Sequence, residues 1–219
     1  PGTHTVVVPN PDLKPEKSLN YEAGSSFKAD GVFGSDDHLF AKAVFFYDDV
    51  KDFIAPKAWL EPTTPPTLYY SSQNVGHVVR KGIELSGTYA AGQFSTSVSY
   101  GLLHAVDKET NERMNGITPQ SANLKLAYAF PAQAINVWYR AHWSKGGESS
   151  VEDRATGKKL HFSSFLTHSL GAEWSPKVAD LANLQAGIAV VNLFDKEYRM
   201  LNGSYGSGRG VRLWLSAQF

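Results

Sequence analysis

The sequence predicts an all-β fold, built of antiparallel strands of the kind that make a transmembrane barrel. Three observations predict it. Apolar and polar residues alternate through most of the chain, and only a strand places side chains on opposite faces with a period of two. The 19 glycines and 11 prolines gather between the alternating stretches, where they punctuate turns. Short and long connections follow one another in turn, as in outer-membrane barrels. A soluble β-sandwich or up-and-down barrel also alternates, and the pattern alone leaves that reading open. The strands are long for a sandwich, however. Aromatics stand towards strand ends (Tyr128, Phe130, Trp143, Trp174 and Phe219), which suits a membrane interface.

Residues 1 to 15 read as a loop, because Pro9, Pro11 and Pro15 are too many for a helix interior or a central strand. Leu19, Tyr21, Ala23, Phe27 and Ala29 then share one face of a strand from Ser18. After a turn over 31–37, a second strand runs through Leu39, Ala41, Ala43, Phe45 and Tyr47 towards Ile54. Near its end Asp48, Asp49 and Asp52 read as a solvated acidic rim. Pro56 to Pro66 reads as a proline-rich loop, and Tyr69 to Tyr89 as one long extended stretch bent at Gly76 and Gly82. Ala90 to Gln93 is a tight turn into a strand carrying Phe94, Thr96, Val98, Tyr100 and Leu102. His104 to Gln120 reads as a polar loop. Leu124 to Phe130 and Ile135 to Trp143 are strands joined at Pro131, and Ser144 to His161 is a long charged loop. Leu166 to Trp174 and Leu184 to Val190 follow, separated by a turn near Pro176 to Asp180. A glycine-rich loop, Gly203 to Gly210, leads to the last strand, whose Val211, Leu213, Leu215, Ala217 and Phe219 share an apolar face. About nine strands result.

Composition excludes several functions. Lys+Arg and Asp+Glu are both 21, so no general affinity for nucleic acid is expected. With 0 cysteines there is no disulfide framework and no thiolate chemistry. No run approaches the roughly 18 apolar residues of a membrane helix. Pro1-Gly2-Thr3-His4 lacks the basic and apolar regions of a signal peptide, so the chain is expected to be mature or a piece of something longer. Gly206-Ser207-Gly208-Arg209-Gly210 has no following helix to cradle a phosphate. No G-x-S-x-G elbow is present. No enzyme is expected.

Four segments carry a family resemblance. Asn10-Pro11-Asp12-Leu13-Lys14-Pro15-Glu16 resembles the extracellular-loop motif of TonB-dependent outer-membrane receptors. Gly82-Ile83-Glu84-Leu85 resembles their "GvEl" strand, and Val191-Asn192-Leu193-Phe194-Asp195-Lys196-Glu197-Tyr198 their "NLFDkxY" segment. Gly208-Arg209-Gly210 through Phe219 is similar to their closing strand. The four fall in family order and span nearly the whole chain. The resemblance implies that residues 1–219 are the C-terminal part of a barrel of about 22 strands in the bacterial outer membrane, with the plug domain lying outside this chain. It implies lipid around the wall, a TonB complex acting through the plug, and barrel-assembly machinery that reads Phe219 as an assembly signal. It also places 1–17, 55–68, 104–120, 144–162 and 199–209 outside the cell.

The resemblance further implies uptake of an iron-bearing ligand and no permanently held cofactor. Val8-Pro9-Asn10-Pro11-Asp12-Leu13 is similar to the "NPNL" box of haem receptors, departing from it at Asp12. In that group a loop histidine helps hold the haem iron, and His4 is the matching candidate, since imidazole is a good iron ligand. Asn10 and Asp12 are candidate ligand contacts on the same loop. His104 and His142 are candidates near the mouth. Haem or a haemoprotein is the expected ligand and a ferric siderophore the alternative. A passive porin or adhesin barrel is the alternative of a different class.

Overall fold

A computed structural model describes residues 4–61, 67–74, 76–152, 158–177, 183–201 and 203–218. Fourteen strands are present among them, nine in one large sheet. That sheet has the order β14-β13-β12-β9-β8-β7-β6-β3-β2, formed by β2 (Lys17–Asp30), β3 (Asp37–Lys51), β6 (His77–Ala91), β7 (Phe94–Asp107), β8 (Gln120–Phe130), β9 (Ile135–Ser144), β12 (Phe165–Trp174), β13 (Asn183–Val191) and β14 (Gly210–Gln218). These are the nine strands read from alternation. Their 9 to 15 residues meet or exceed the roughly 9–11 that a tilted strand needs to cross a bilayer. Strands consecutive in the sheet are consecutive in the chain, apart from two small insertions, so the sheet is an up-and-down meander.

The chain divides into two compact units. One comprises 1–22, 46–81 and 104–114. Within it, β1 (His4–Val7) pairs in parallel with β5 (Thr67–Asn74), and β5 pairs antiparallel with β4 (Ile54–Glu61). Several expectations change here, and β1 itself lies in the stretch read as a loop over 1–15. The proline-rich stretch from Pro56 is a strand, because β4 is the edge of the order β1-β5-β4, where a missing N–H is tolerated. The stretch from Tyr69 to Tyr89 is two strands of different sheets, parted at Gly76, whose φ of +58° suits glycine. His104 also lies within β7, and the loop begins after Asp107.

The other unit comprises 23–45, 82–103 and 115–219. It holds the wall from β8 to β14 and the small antiparallel pair β10 (Gly147–Glu152) and β11 (Lys159–Phe162). Register assigns its two faces. Phe94 stands opposite Tyr128, Val98 opposite Leu124, Leu126 opposite Tyr139, Leu170 opposite Val190 and Ile188 opposite Leu213. This row is apolar and open: Val98 is 51%, Ile188 50% and Leu213 75% exposed. The opposite face runs Ser97–Lys125–Arg140–Ser169 across four strands, and Ala127–Trp138–Gly171–Ala189–Arg212 across five. The small core lies on this polar face, where Ala127, Trp138 and Ala189 pack together with Trp214. Trp138 lies flat over Gly171 and Trp214 over Gly187, each ring filling the space a Cβ would take. The arrangement rescues strand glycines with aromatic cover.

Turns at the short-connection end are built locally. Asp37 accepts the backbone N–H groups of Val32, Phe33 and Gly34 at 2.7, 2.7 and 2.9 Å, and the Tyr89 hydroxyl at 3.1 Å. Phe33 packs edge-on against Tyr89 with ring centroids 5.8 Å apart. Phe219 and the turn residues 178–182 lie outside the described residues, as does Asn202.

Candidate functional site

The segment with the receptor-loop motif folds as a clamp. The Asn10 side-chain amide donates to the Ser72 carbonyl at 2.9 Å, and its oxygen accepts the Asp12 N–H at 3.1 Å, closing an Asx turn of the sort these residues favour. Lys14 and Asn74 bond reciprocally: Lys14 N–H donates to Asn74 Oδ1 at 2.8 Å, and Asn74 Nδ2 donates to the Lys14 carbonyl at 2.9 Å. Asn74 also reaches the Asp52 carbonyl at 2.6 Å, and Glu16 accepts the Ile54 N–H at 2.6 Å. Asn10 therefore spends its polar atoms on the chain, whereas the exposed Asp12 carboxylate has no hydrogen bond among the described residues. His4 is on β1, its backbone in register with Thr67; its side chain lies outside what is described. His104 is half-buried near the end of β7 that leads into a long connection, beside the buried Ala105. The acidic run Asp48, Asp49, Asp52, expected as a solvated rim, is largely consumed. Asp48 is 6% exposed and holds Arg80 through Nε at 2.8 Å, Asp49 bonds His77 at 2.8 Å, and Asp52 sits in a turn at φ +55°. No group of three or more metal-ligating side chains forms among the described residues.

His142 stands on the polar face of the wall, near the end of β9 that leads into a long connection. Its Nδ1 is 2.8 Å from the Asn123 amide oxygen, and its ring centroid is 5.8 Å from that of Phe165. With the amide oxygen accepting, the tautomer that fits this contact carries its proton on Nδ1. The lone pair of the neutral ring is left on Nε2, the atom free to ligate a metal. A cavity of about 430 Å³ adjoins it, lined by His142, Phe165, Tyr198 and Arg199 among others. A second, of about 570 Å³, is bounded by His161, Phe162, Lys196, Tyr198, Arg199 and Tyr205.

The segment from Asn192 builds both cavities, and residue-level reasoning missed this role. Buried Asn192, at φ +48°, donates to the carbonyls of Lys196 and Ser207 at 2.9 and 3.0 Å and accepts the Lys196 N–H at 2.9 Å. Asp195 accepts the Arg209 N–H at 2.6 Å. The loop so fixed stacks Tyr198 on Phe165, with centroids 4.1 Å apart, and lays Arg199 over Tyr205 at 3.9 Å. The arrangement offers aromatic planes, a guanidinium and an imidazole lone pair. That set suits a flat or aromatic ligand with acidic groups.

Comparison with known proteins decides the family. The model for "TonB dependent receptor-like, beta-barrel" matches residues 1–193. The chain belongs to this family. The family is one of outer-membrane receptors and transporters, so this chain is part of an outer-membrane β-barrel. Among curated relatives, it is 26% identical over 210 residues to the heme/hemopexin utilization protein C of Haemophilus influenzae (strain 86-028NP), covering 94% of this chain and 29% of that protein. It is 22% identical over 213 residues to the hemin receptor of Yersinia pestis, covering 97% and 30%. It is 29% identical over 190 residues to the vitamin B12 transporter BtuB of Photobacterium profundum, covering 86% and 28%. Of solved structures, the copper transporter OprC superposes with a TM-score of 0.72 at 19% identity, covering 94% of this chain and 31% of that one. The chain thus spans about 30% of the length of the relatives it matches, and the nine-stranded sheet is a partial barrel. For this TonB-dependent barrel, the apolar row is the lipid face and the polar row the lumen wall.

Proposed function

We propose that the receptor containing this chain takes up haem, free or from a haemoprotein, across the outer membrane with energy relayed by TonB through a plug domain. One observation carries the choice of ligand: relatives from several species are named for haem or hemin, matching from 70% to 97% of the chain. A vitamin B12 transporter matches 86% of it. The shared barrel fold does not choose among ligands. The siderophore receptors that the chain resembles are solved structures at 20% identity, a likeness of fold, while the chemistry around His142 suits a porphyrin: an imidazole lone pair for iron, Phe165 and Tyr198 for the ring, and Arg199 for a propionate.

In this reading His4 and His142 hold iron at different stages, His4 on the outer loop and His142 on the lumen wall. Asp12 contributes as an exposed carboxylate on the loop, Asn10 holds the loop's shape, and His104 lies on the outer part of β7. The test is haemin titration of the full-length receptor. Binding is expected to give a sharpened, shifted Soret band, and His4→Ala and His142→Ala are each expected to weaken binding about tenfold or more, with loss of the shift in the double variant. An unshifted Soret band with wild-type receptor would refute the haem reading. A passive porin or adhesin would support growth on haem without TonB; abolished uptake in a strain lacking TonB would exclude it.

A further inference from the structure

The cavity beside His142 contains a second soft donor. His142 and Met200 line the same space of about 430 Å³. They come from different elements. His142 stands on β9, and Met200 belongs to the loop that the Asn192 side chain fixes. Ser121 and Ser144 accompany the histidine from the wall strands, and Arg199 and Leu201 flank the methionine from the loop.

The backbone holds Met200 in place. Its N–H donates to the Ser204 carbonyl at 2.9 Å, and its own carbonyl accepts the Gly203 N–H at 2.8 Å. Arg199, the residue before it, forms an antiparallel bridge with Tyr205. Leu201, the residue after it, is 6% exposed, and its carbonyl accepts the hydroxyl of the fully buried Ser149 at 2.7 Å. Met200 itself is 45% exposed. The loop thus draws Leu201 into the protein and leaves the methionine open beside the cavity, where an apolar side chain gains little from burial. Two methionines occur in the chain, and the other, Met114, does not line this cavity.

We propose that Met200 is an axial ligand of haem iron, trans to His142, when haem occupies this cavity. This ligation rests on the haem reading above and adds a residue to it. A thioether and an imidazole together suit haem iron or a soft transition-metal ion. The rest of the lining decides between them. Phe165 and Tyr198 supply aromatic planes, and Arg199 and Lys145 supply two cations. A bare metal ion uses neither, whereas a porphyrin with two carboxylates uses both. Iron accepts the Nε2 lone pair on one face of the porphyrin and the Met200 sulfur lone pair on the other. The water or outer-loop ligand that it carried is released, and no electron is transferred. A soft, neutral thioether holds ferric iron less firmly than a second imidazole does, which leaves the haem able to move on.

The test is spectroscopic, on the full-length receptor carrying His4→Ala, so that the outer-loop histidine is silent, and loaded with haemin. This parent is expected to show a shifted Soret band together with the weak charge-transfer band of ferric iron–thioether ligation at the red edge of the visible range. Met200→Leu, which keeps the bulk and removes the sulfur, is expected to abolish the thioether band and lower the midpoint potential, since histidine–methionine ligation raises it. The Soret shift is expected to survive in that variant through His142. Met200→His is expected to give a bis-imidazole spectrum in place of the thioether band. Met114→Leu is expected to match the parent. A shifted Soret band without the thioether band in the parent, or a thioether band that survives Met200→Leu, would overturn the proposal and leave the haem reading standing. An unshifted Soret band in parent and wild type alike would remove the haem reading and this ligand with it.

Discussion

Asn192 shows how much one side chain can organise. Its positive φ is one that asparagine tolerates better than most residues, and its amide closes three hydrogen bonds to Lys196 and Ser207. Those bonds fix the loop that brings Lys196, Tyr198 and Arg199 to the cavities of the polar side. At about 1 kcal/mol per hydrogen bond, with about 1 kcal/mol for placing alanine in that backbone region, Asn192→Ala is expected to destabilise the loop by about 3–4 kcal/mol. Amide exchange over residues 193–209 is expected to speed up by roughly 100- to 1000-fold, with the neighbouring strands unchanged. Exchange that stays at wild-type rates would show that the loop is held by something other than this clamp. The family motif pointed to this segment, but its residue types alone could not say what it does. An asparagine before a loop serves equally as a turn former or a ligand contact. Asn10 illustrates the same ambiguity: its motif marks it as a ligand contact, yet its amide bonds Ser72 and Asp12.

Strands were the most legible level, because a period of two needs no tertiary information. Leu213 and Trp214 adjoin in sequence and face opposite solvents, one lipid and one lumen. Arginine in place of Leu213 is expected to cost about 2–4 kcal/mol near the bilayer midplane and to lower the level of assembled receptor in outer membranes. Ser216→Arg, on the lumen row, is expected to assemble at wild-type levels, and quantitative fractionation separates the two outcomes. Packing on the lumen row makes its own demand. A methyl at Gly187 would overlap the Trp214 ring, so Gly187→Ala is expected to push the indole off the wall, cost about 1–3 kcal/mol by overpacking and change tryptophan emission; Gly34→Ala, with nothing near its Cβ, makes no such clash. What alternation could not reveal was the small sheets of the long connections. Pro56 reads as a loop former until β4 is known to be an edge strand. The break at Gly76 within an unbroken apolar stretch depends on β5 finding β1 and β4 as partners, which are non-local. The apposition of His142 with Asn123 and Phe165 likewise arises from register across β8, β9 and β12, which no local pattern encodes.

At the scale of the whole molecule, the sheet presents two edges, one on β14 and one on β2. In hydrocarbon an unpaired row of backbone N–H and C=O groups has no water to turn to, so a barrel is viable only when closed. The matched relatives are roughly three times the length of this chain, which leaves ample chain for the strands that pair with both edges. Closure makes the assembly of the edge strand β14 a decisive event, since it must be delivered with its apolar row, Val211, Leu213 and Leu215, towards lipid. The likeness of residues 208–219 to the family's closing strand implies that Phe219, which lies outside the described residues, is read by the barrel-assembly machinery. Deletion of Phe219 from the full-length receptor is therefore expected to reduce its surface level several-fold and to leave unassembled protein in the periplasm. Phe219→Tyr, which keeps an aromatic ring, is expected to restore most of that level. Receptor that has assembled without Phe219 should bind haemin like wild type, because the deletion leaves intact the loop and lumen groups proposed for the ligand. Normal surface levels after the deletion would refute the assembly role, whereas normal levels with lost haemin binding would move Phe219 into the ligand path instead.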